Sequence, residues 1–227
     1  MTTVVVDEMR RRLGAVRRPR PIMDRDRERT LTDRQRELLD QMEHLFAGGF
    51  ATLTMAELAA RLNCSLRTLY ALAPSRDELV LVVVDRHLWH VGRAARGAVR
   101  EDLAPLDAVR AYLEAATVAV SDWTEAFARD LAAVPAAQEL EEGHNEYLFD
   151  VTHTLLDLAV ERDDIADVDT AAVARVLAGL GRFLSRPRMI SSLESSPKEA
   201  ADQVVDLVLR GLRSRAGEEM DNGETTR

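Results

Sequence analysis

The chain is poor in the residues that mark disulfide-bonded, aromatic-rich or loop-rich proteins. Of its 227 residues, one is cysteine, 4% are aromatic, and glycine and proline number 11 and 7. The single cysteine, Cys64, excludes an internal disulfide and suits a reducing compartment. Since 46% of the residues are hydrophobic and helix breakers are scarce, the composition favours a helical protein with an aliphatic core.

Long apolar runs are also missing. The longest, Leu79 to Val84, has six residues, whereas a helix that crosses a bilayer needs roughly 18. The beginning of the chain lacks the order of a secretory signal, because Val4 to Val6 is too short and Arg10 to Arg12 follow it. We therefore predict a cytoplasmic protein with no membrane partner.

The charge is distributed unevenly. Residues 1–36 hold eleven arginines against six acidic residues, a local charge of +5, while residues 37–227 carry −14 within a total of −9. An acidic molecule with one basic segment does not bind polyanions over its whole surface. The distribution still allows one focused nucleic-acid face.

The two ends of the chain show no clear pattern. Residues 1–30 have no helical or strand period and are rich in Arg, Asp and Pro, so we predict a basic, flexible arm. This arm is either a disordered tail or a segment that contacts DNA. We also predict a flexible tail over residues 217–227.

Three capping boxes occur within about fifty residues, and each marks a helix start. In this motif a Ser or Thr side chain caps the helix while an acidic or amide side chain three residues later binds back. The pairs are Thr32 with Gln35, Thr54 with Glu57, and Ser75 with Glu78.

Two of the predicted helices are short and are joined by a tight turn. The first covers residues 55–62 and is expected to bury Ala56, Leu58, Ala59 and Leu62. Asn63 tolerates positive φ at the turn, Ser65 can cap the second helix, and Pro74 stops it. This is the pattern of a helix-turn-helix. An exposed helix N-terminus suits phosphate, and an arginine such as Arg67 can read base edges.

The remaining sequence is helical by its apolar spacing, and no enzyme motif stands out. His87 and His90 lie three residues apart, but no further metal ligands are local, so a solvated or core-edge pair is expected. Cys64 is expected to be a small buried residue, with a redox switch as the alternative. We predict no catalytic residues, no metal and no cofactor.

The sequence "LLDQMEHLFAGGFATLTMAELAARLNCSLRTLYALAPSRDELV" resembles the DNA-binding segment of the TetR family of transcriptional regulators. The match covers about residues 32–87 and includes Gly49–Phe50, Thr54, Leu58–Ala59, Ser65, Thr68–Leu69–Tyr70 and Ser75–Arg76. Asn63 stands where the family usually has glycine. "ALAP" stands where it often has a histidine and an aromatic residue.

The resemblance implies a role for seven residues at a DNA interface. Thr54, Tyr70 and Arg76 would bind backbone phosphate, while the others would face the major groove or its edge: Ser65, Leu66, Arg67 and Thr68. Leu66 is placed to touch a thymine methyl.

The resemblance also implies an all-α architecture of two domains. A three-helix DNA-binding domain over residues 31–87 would precede a larger helical domain over 88–216, which binds ligand and dimerises through its last two helices. The scarce aromatic residues of this second domain are either core or cavity lining. The candidate ligand residues are Trp89, Tyr112, Trp123, Phe127, Tyr147 and His153.

The predicted function is a transcriptional regulator that is not an enzyme. As a repressor, it would bind a pseudo-palindromic double-stranded DNA operator as a homodimer and be released by an apolar small molecule. The rival prediction is a helical small-molecule-binding or adaptor protein whose helix-turn-helix has weakened or lost DNA binding.

Overall fold

The computed structural model describes residues 2–120 and 124–224, with side chains described for 7–118, 124–186 and 188–213. Within these ranges the chain forms helices and no strand, which confirms the all-α prediction. The helices are α1 (Thr2–Ala15), α2 (Arg25–Thr30), α3 (Asp33–Ala47), α4 (Met55–Arg61), α5 (Leu66–Leu72), α6 (Arg76–Ala98), α7 (Pro105–Val120), α8 (Glu125–Ala132), α9 (Pro135–Val160), α10 (Thr170–Leu184), α11 (Pro187–Ile190) and α12 (Pro197–Glu224).

The helices divide into two compact units. The helix-turn-helix unit lies within Pro19–His90 and Asp122–Gly143, and the body unit lies within Met1–Arg18, Val91–Ser121 and His144–Arg227. Helices α6 and α9 each contribute their two ends to different units. No helix of the described residues is long and apolar enough to cross a membrane.

The helix-turn-helix unit has its own aliphatic core. Apolar residues of α3 recur at helical spacing and are buried together with residues of α4, α5 and α6. Its largest fully buried side chains include Leu38, Leu39, Met42, Phe46, Phe50, Leu58, Leu69, Leu72, Leu79 and Leu131.

A half-buried carboxylate links α3 to α6 in this unit. Glu43 lies 3.6 Å from Nδ1 of His87 and 3.5 Å from Nδ1 of His90, and Arg86 approaches the same carboxylate. Burial alone would raise the pKa of Glu43, but the hydrogen bonds from both histidines outweigh it and lower the pKa to about 2. No group of three or more ligating side chains that could hold a metal ion occurs among the described residues.

The body unit is built on α7, α9, α10 and α12. Helix α7 packs against α12 and α10, and α10 packs against α12. Tyr112, Val151, Leu155, Leu177 and Leu209 are buried in its core.

Part of residues 1–30, where we predicted a flexible arm, is helical and packed against the body unit. Helix α1 buries Met9 and Leu13 in the core of the body unit, and Val16 packs against that core. The spacing of these residues, i, i+4 and i+7, is helical, although arginines between them hide the pattern. Arg12 also forms two hydrogen bonds of 2.7 Å with Glu161.

Three boundaries differ from the prediction. Residues 19–30 belong to the helix-turn-helix unit, where Met23 and Leu31 join its core on either side of α2. Residues 124–143 also fall in this unit rather than in the body. Helix α12 continues to Glu224, so the expected tail is helical up to that residue, and residues 225–227 lie outside the described residues.

If α1 is part of the body core, Leu13→Ala will destabilise the protein. Removing a fully buried leucine side chain costs about 2–5 kcal/mol in lost burial and cavity formation, and urea unfolding monitored by circular dichroism measures the loss. The control is Arg11→Ala on the exposed face of α1, with an expected change below about 0.5 kcal/mol. Equal, negligible changes in both variants would contradict the docking of α1.

Candidate nucleic-acid interface

Helix α4 begins at a complete capping box. The Thr54 hydroxyl accepts from the backbone N–H of Glu57 at 3.2 Å, and the Glu57 carboxylate accepts from the Thr54 N–H and hydroxyl at 2.8 Å each. The bond from the Thr54 backbone lowers the pKa of Glu57. Met55, Leu58 and Ala59 are buried, whereas Ala56, which we expected in the core, is exposed.

The turn after α4 depends on a residue with positive φ. Asn63 has φ 49°, a conformation that asparagine tolerates better than most residues. The N–H of Cys64 then donates to the carbonyl of Ala59 at 3.0 Å, which satisfies a carbonyl at the end of α4. Cys64 is half-buried, and burial raises the pKa of its thiol.

Helix α5 presents one face to the core and another to solvent. Ser65 caps it by accepting from the N–H of Thr68 at 3.1 Å, and the two hydroxyls lie 2.8 Å apart. Leu69 and Leu72 are fully buried. The exposed residues are Ser65, Leu66, Arg67, Tyr70 and Ala71, while Thr68 is half-buried.

The loop between α3 and α4 is held by side chains on two sides. The carboxylate of Asp130, on α8, accepts from the N–H groups of Phe50 and Ala51 at 2.6 and 2.7 Å. The guanidinium of Arg76, on α6, donates to the carbonyls of Phe50, Ala51 and Leu53 at 2.6, 3.0 and 2.6 Å. The backbone that leads into the capped start of α4 is therefore fixed by both helices.

Helix α8 approaches this loop so closely that the loop needs a glycine at the point of contact. Gly49 has φ 101°, and a Cβ there would lie 3.1 Å from Asp130 Oδ2 and 3.2 Å from the Cβ of Ala126. Phe127 also packs edge-on against Phe50, with ring centroids 5.7 Å apart. Gly49 thus serves both the turn and the contact with α8.

Sequence reasoning missed Asp130 and placed Arg76 only at DNA phosphate. Asp130 is 80 residues from Phe50 in the chain, so no local spacing pointed to the pair. The Arg76 guanidinium donates hydrogen bonds to loop carbonyls and to Asp77. In the free protein it therefore positions the loop.

The six predicted ligand residues do not come together in one unit. Tyr112, Tyr147 and His153 lie in the body unit, Trp89 and Phe127 lie in the helix-turn-helix unit, and Trp123 is outside the described residues. Phe127 is buried there because it fills the space beside Phe50. His153 stacks on Phe149 at 5.4 Å and has Nε2 3.5 Å from the carboxylate of Asp157.

Sequence comparison identifies no relatives, since no protein-family model and no characterised protein matches the chain significantly. Solved structures do match. A tetR family regulatory protein from Rhodococcus RHA1 superposes with a TM-score of 0.61 at 22% identity, covering 80% of this chain and 98% of its own. A TetR transcription regulator from Haloarcula marismortui gives 0.64 at 17% identity, covering 80% and 99%.

The chain has the fold of the TetR family of transcriptional regulators. A family member from Thermus thermophilus agrees, with a TM-score of 0.57 at 22% identity over 77% of this chain and 98% of its own. The resemblance read from residues 32–87 is therefore confirmed in fold. About a fifth of this chain lies outside each of these superpositions.

Replacing Asp130 should destabilise the TetR-fold helix-turn-helix unit. Asp130→Ala leaves two loop N–H groups without their acceptor, at a cost of about 2–3 kcal/mol, measured by urea unfolding. The control Glu139→Ala removes an exposed carboxylate of α9 and should change stability by less than about 0.5 kcal/mol. A loss no larger than that of the control would show that solvent replaces the carboxylate.

Proposed function

We propose that this protein is a TetR family transcriptional regulator that acts in the cytoplasm as a ligand-released repressor. The observation that carries the proposal is the exposed face of α5. This helix keeps Leu69 and Leu72 in the core and leaves Arg67, Leu66 and Tyr70 in solvent. A short helix of this kind, supported by α4, fits the major groove.

Each residue of the face has a proposed role. Arg67 and Thr68 read base edges, and Leu66, 44% exposed, contacts a thymine methyl. Ser65 faces the major groove or its edge, and Thr54 and Tyr70 contact backbone phosphate. For Arg76 we propose that it fixes the loop before α4. A phosphate contact by Arg76 would have to use the same guanidinium.

A second exposed face supports a homodimer. Val176 and Phe183 lie seven residues apart on α10, and Val204 and Leu207 lie on α12, which packs against α10. Leu207 is 72% exposed in the single chain. Clustered apolar side chains on neighbouring helices mark an interface, and a two-fold dimer would place one α5 on each half of a pseudo-palindromic operator.

We propose an apolar effector for the body unit. Tyr112 and Tyr147 are enclosed among aliphatic residues, and burial raises the pKa of Tyr112, so its hydroxyl remains a hydrogen-bond donor. Effector binding would favour one of two arrangements, as differential affinity requires. Helices α6 and α9, which belong to both units, would carry the change.

Arg67→Ala should weaken binding to the preferred DNA. Loss of a base contact costs about 1–3 kcal/mol, and Tyr70→Phe should cost about 0.5–1.5 kcal/mol as a lost hydrogen bond. The DNA is obtained by selection from a random duplex pool, and fluorescence anisotropy measures the affinity.

The control for these variants is Arg188→Ala, which removes an exposed arginine from the body unit. It should leave the affinity unchanged within about twofold. Wild-type affinity in both helix variants would refute the α5 assignment. Failure of the wild type to select any sequence would favour an adaptor or ligand-binding protein without DNA binding.

Leu207→Glu should convert the dimer to monomer. A carboxylate buried in an apolar interface is costly, and each 1.4 kcal/mol raises the dissociation constant about tenfold. Sedimentation equilibrium measures the constant, with Ala136→Glu as the control at an exposed position of α9. If the two variants dimerise equally well, the interface lies elsewhere.

A further inference from the structure

Helix α2 is a fixed part of the helix-turn-helix unit, although none of its own residues is buried. The chain is anchored just before it, where the N–H of Ile22 donates to the buried carboxylate of Asp85 at 2.7 Å. Met23 and Leu31 enter the core on either side. Asp24 caps the helix by accepting from the N–H of Arg27 at 2.7 Å.

Arg27 reaches from α2 to the end of the recognition helix α5. Its Nη2 donates to the carbonyl of Leu72 at 2.8 Å and approaches the carbonyl of Ala71 at 3.4 Å. The last carbonyls of a helix lack partners within the helix, and a cation there is favoured by the helix dipole. Arg27 therefore holds a defined position although it is exposed to solvent.

The recognition surface has few cations of its own. Residues 31–87 contain six arginines against eight acidic residues, and α4 and α5 contribute only Arg61 and Arg67. The sequence after Tyr70, "ALAP", adds no polar side chain. Since DNA affinity depends largely on neutralised phosphates, this surface needs cations from an element outside residues 31–87.

We propose that Arg27 is a phosphate ligand of the DNA complex, which α2 holds beside the C-terminal end of α5. The inference rests on the proposed function of this unit as an operator-binding module. A guanidinium has five N–H donors in a planar fork. Its Nη2 group contacts α5, and Nε and Nη1 carry three donors that suit a phosphate bound in a two-point fashion.

The test measures the affinity of the full chain for its selected DNA as a function of salt concentration. Arg27→Ala should weaken binding about tenfold and reduce the slope of log affinity against log salt by about 1.8, the value for two phosphates, because the proposed dimer carries two copies of Arg27. Arg27→Gln should reduce the slope equally while keeping an N–H donor for the α5 carbonyls. It therefore guards against a loss caused by misfolding.

The matched control is Arg29→Ala. Arg29 lies on the same helix, carries the same charge and pairs at 3.6 Å with Asp26 of α2 rather than with α5. It should change the affinity less than about twofold and leave the slope within error of the wild type.

Three results would overturn the inference. Equal effects of Arg27→Ala and Arg29→Ala would show only a general electrostatic attraction between α2 and DNA. Weaker affinity with an unchanged slope would show that Arg27 caps α5 and does not bind phosphate. Wild-type affinity and slope in Arg27→Ala would refute it while leaving the proposed function intact. A wild-type protein that selects no DNA would refute the proposed function itself.

Discussion

The surface that we propose binds DNA depends on one interaction, in which the Asp130 carboxylate accepts from two loop N–H groups. A buried carboxylate is costly unless it is hydrogen-bonded, and here its partners are the N–H groups of Phe50 and Ala51. On the other side, Arg76 binds the carbonyls of the same loop. The backbone that precedes α4 is thus held by an anion and a cation that belong to two different helices.

This arrangement makes α8 a support of the helix-turn-helix surface that we propose binds DNA. Its residues contact α3 and the following loop through Phe127, Asp130 and the hydroxyl of Thr124, which donates to the carbonyl of Ala47 at 2.5 Å. A displacement of α8 relative to α3 would break these bonds together. Because α4 packs against α5, such a displacement would change how α5 is presented to solvent.

Contacts between residues close in the chain were predictable from the sequence, whereas contacts between distant residues were not. The caps at Thr32, Thr54 and Ser65 depend on contacts three residues apart, so spacing alone reveals them. The partnership of Asp130 with Phe50, and of Arg27 with Leu72, joins segments that only the fold brings together. The predicted ligand residues lie in both units for a related reason. An aromatic residue indicates burial but does not indicate which of the two cores it belongs to.

The helix-turn-helix unit is discontinuous in the chain, and this limits how it can be exchanged between proteins. The helix-turn-helix unit is assembled from two stretches, Pro19–His90 and Asp122–Gly143, separated by a segment of the body. A fragment that ends at residue 90 would keep every predicted DNA-facing residue. It would nevertheless lose Phe127, which packs against Phe50, and Asp130, whose carboxylate binds the 48–53 loop. Recombination could not exchange this unit as one contiguous segment, so its two stretches are expected to change together with the body segment between them.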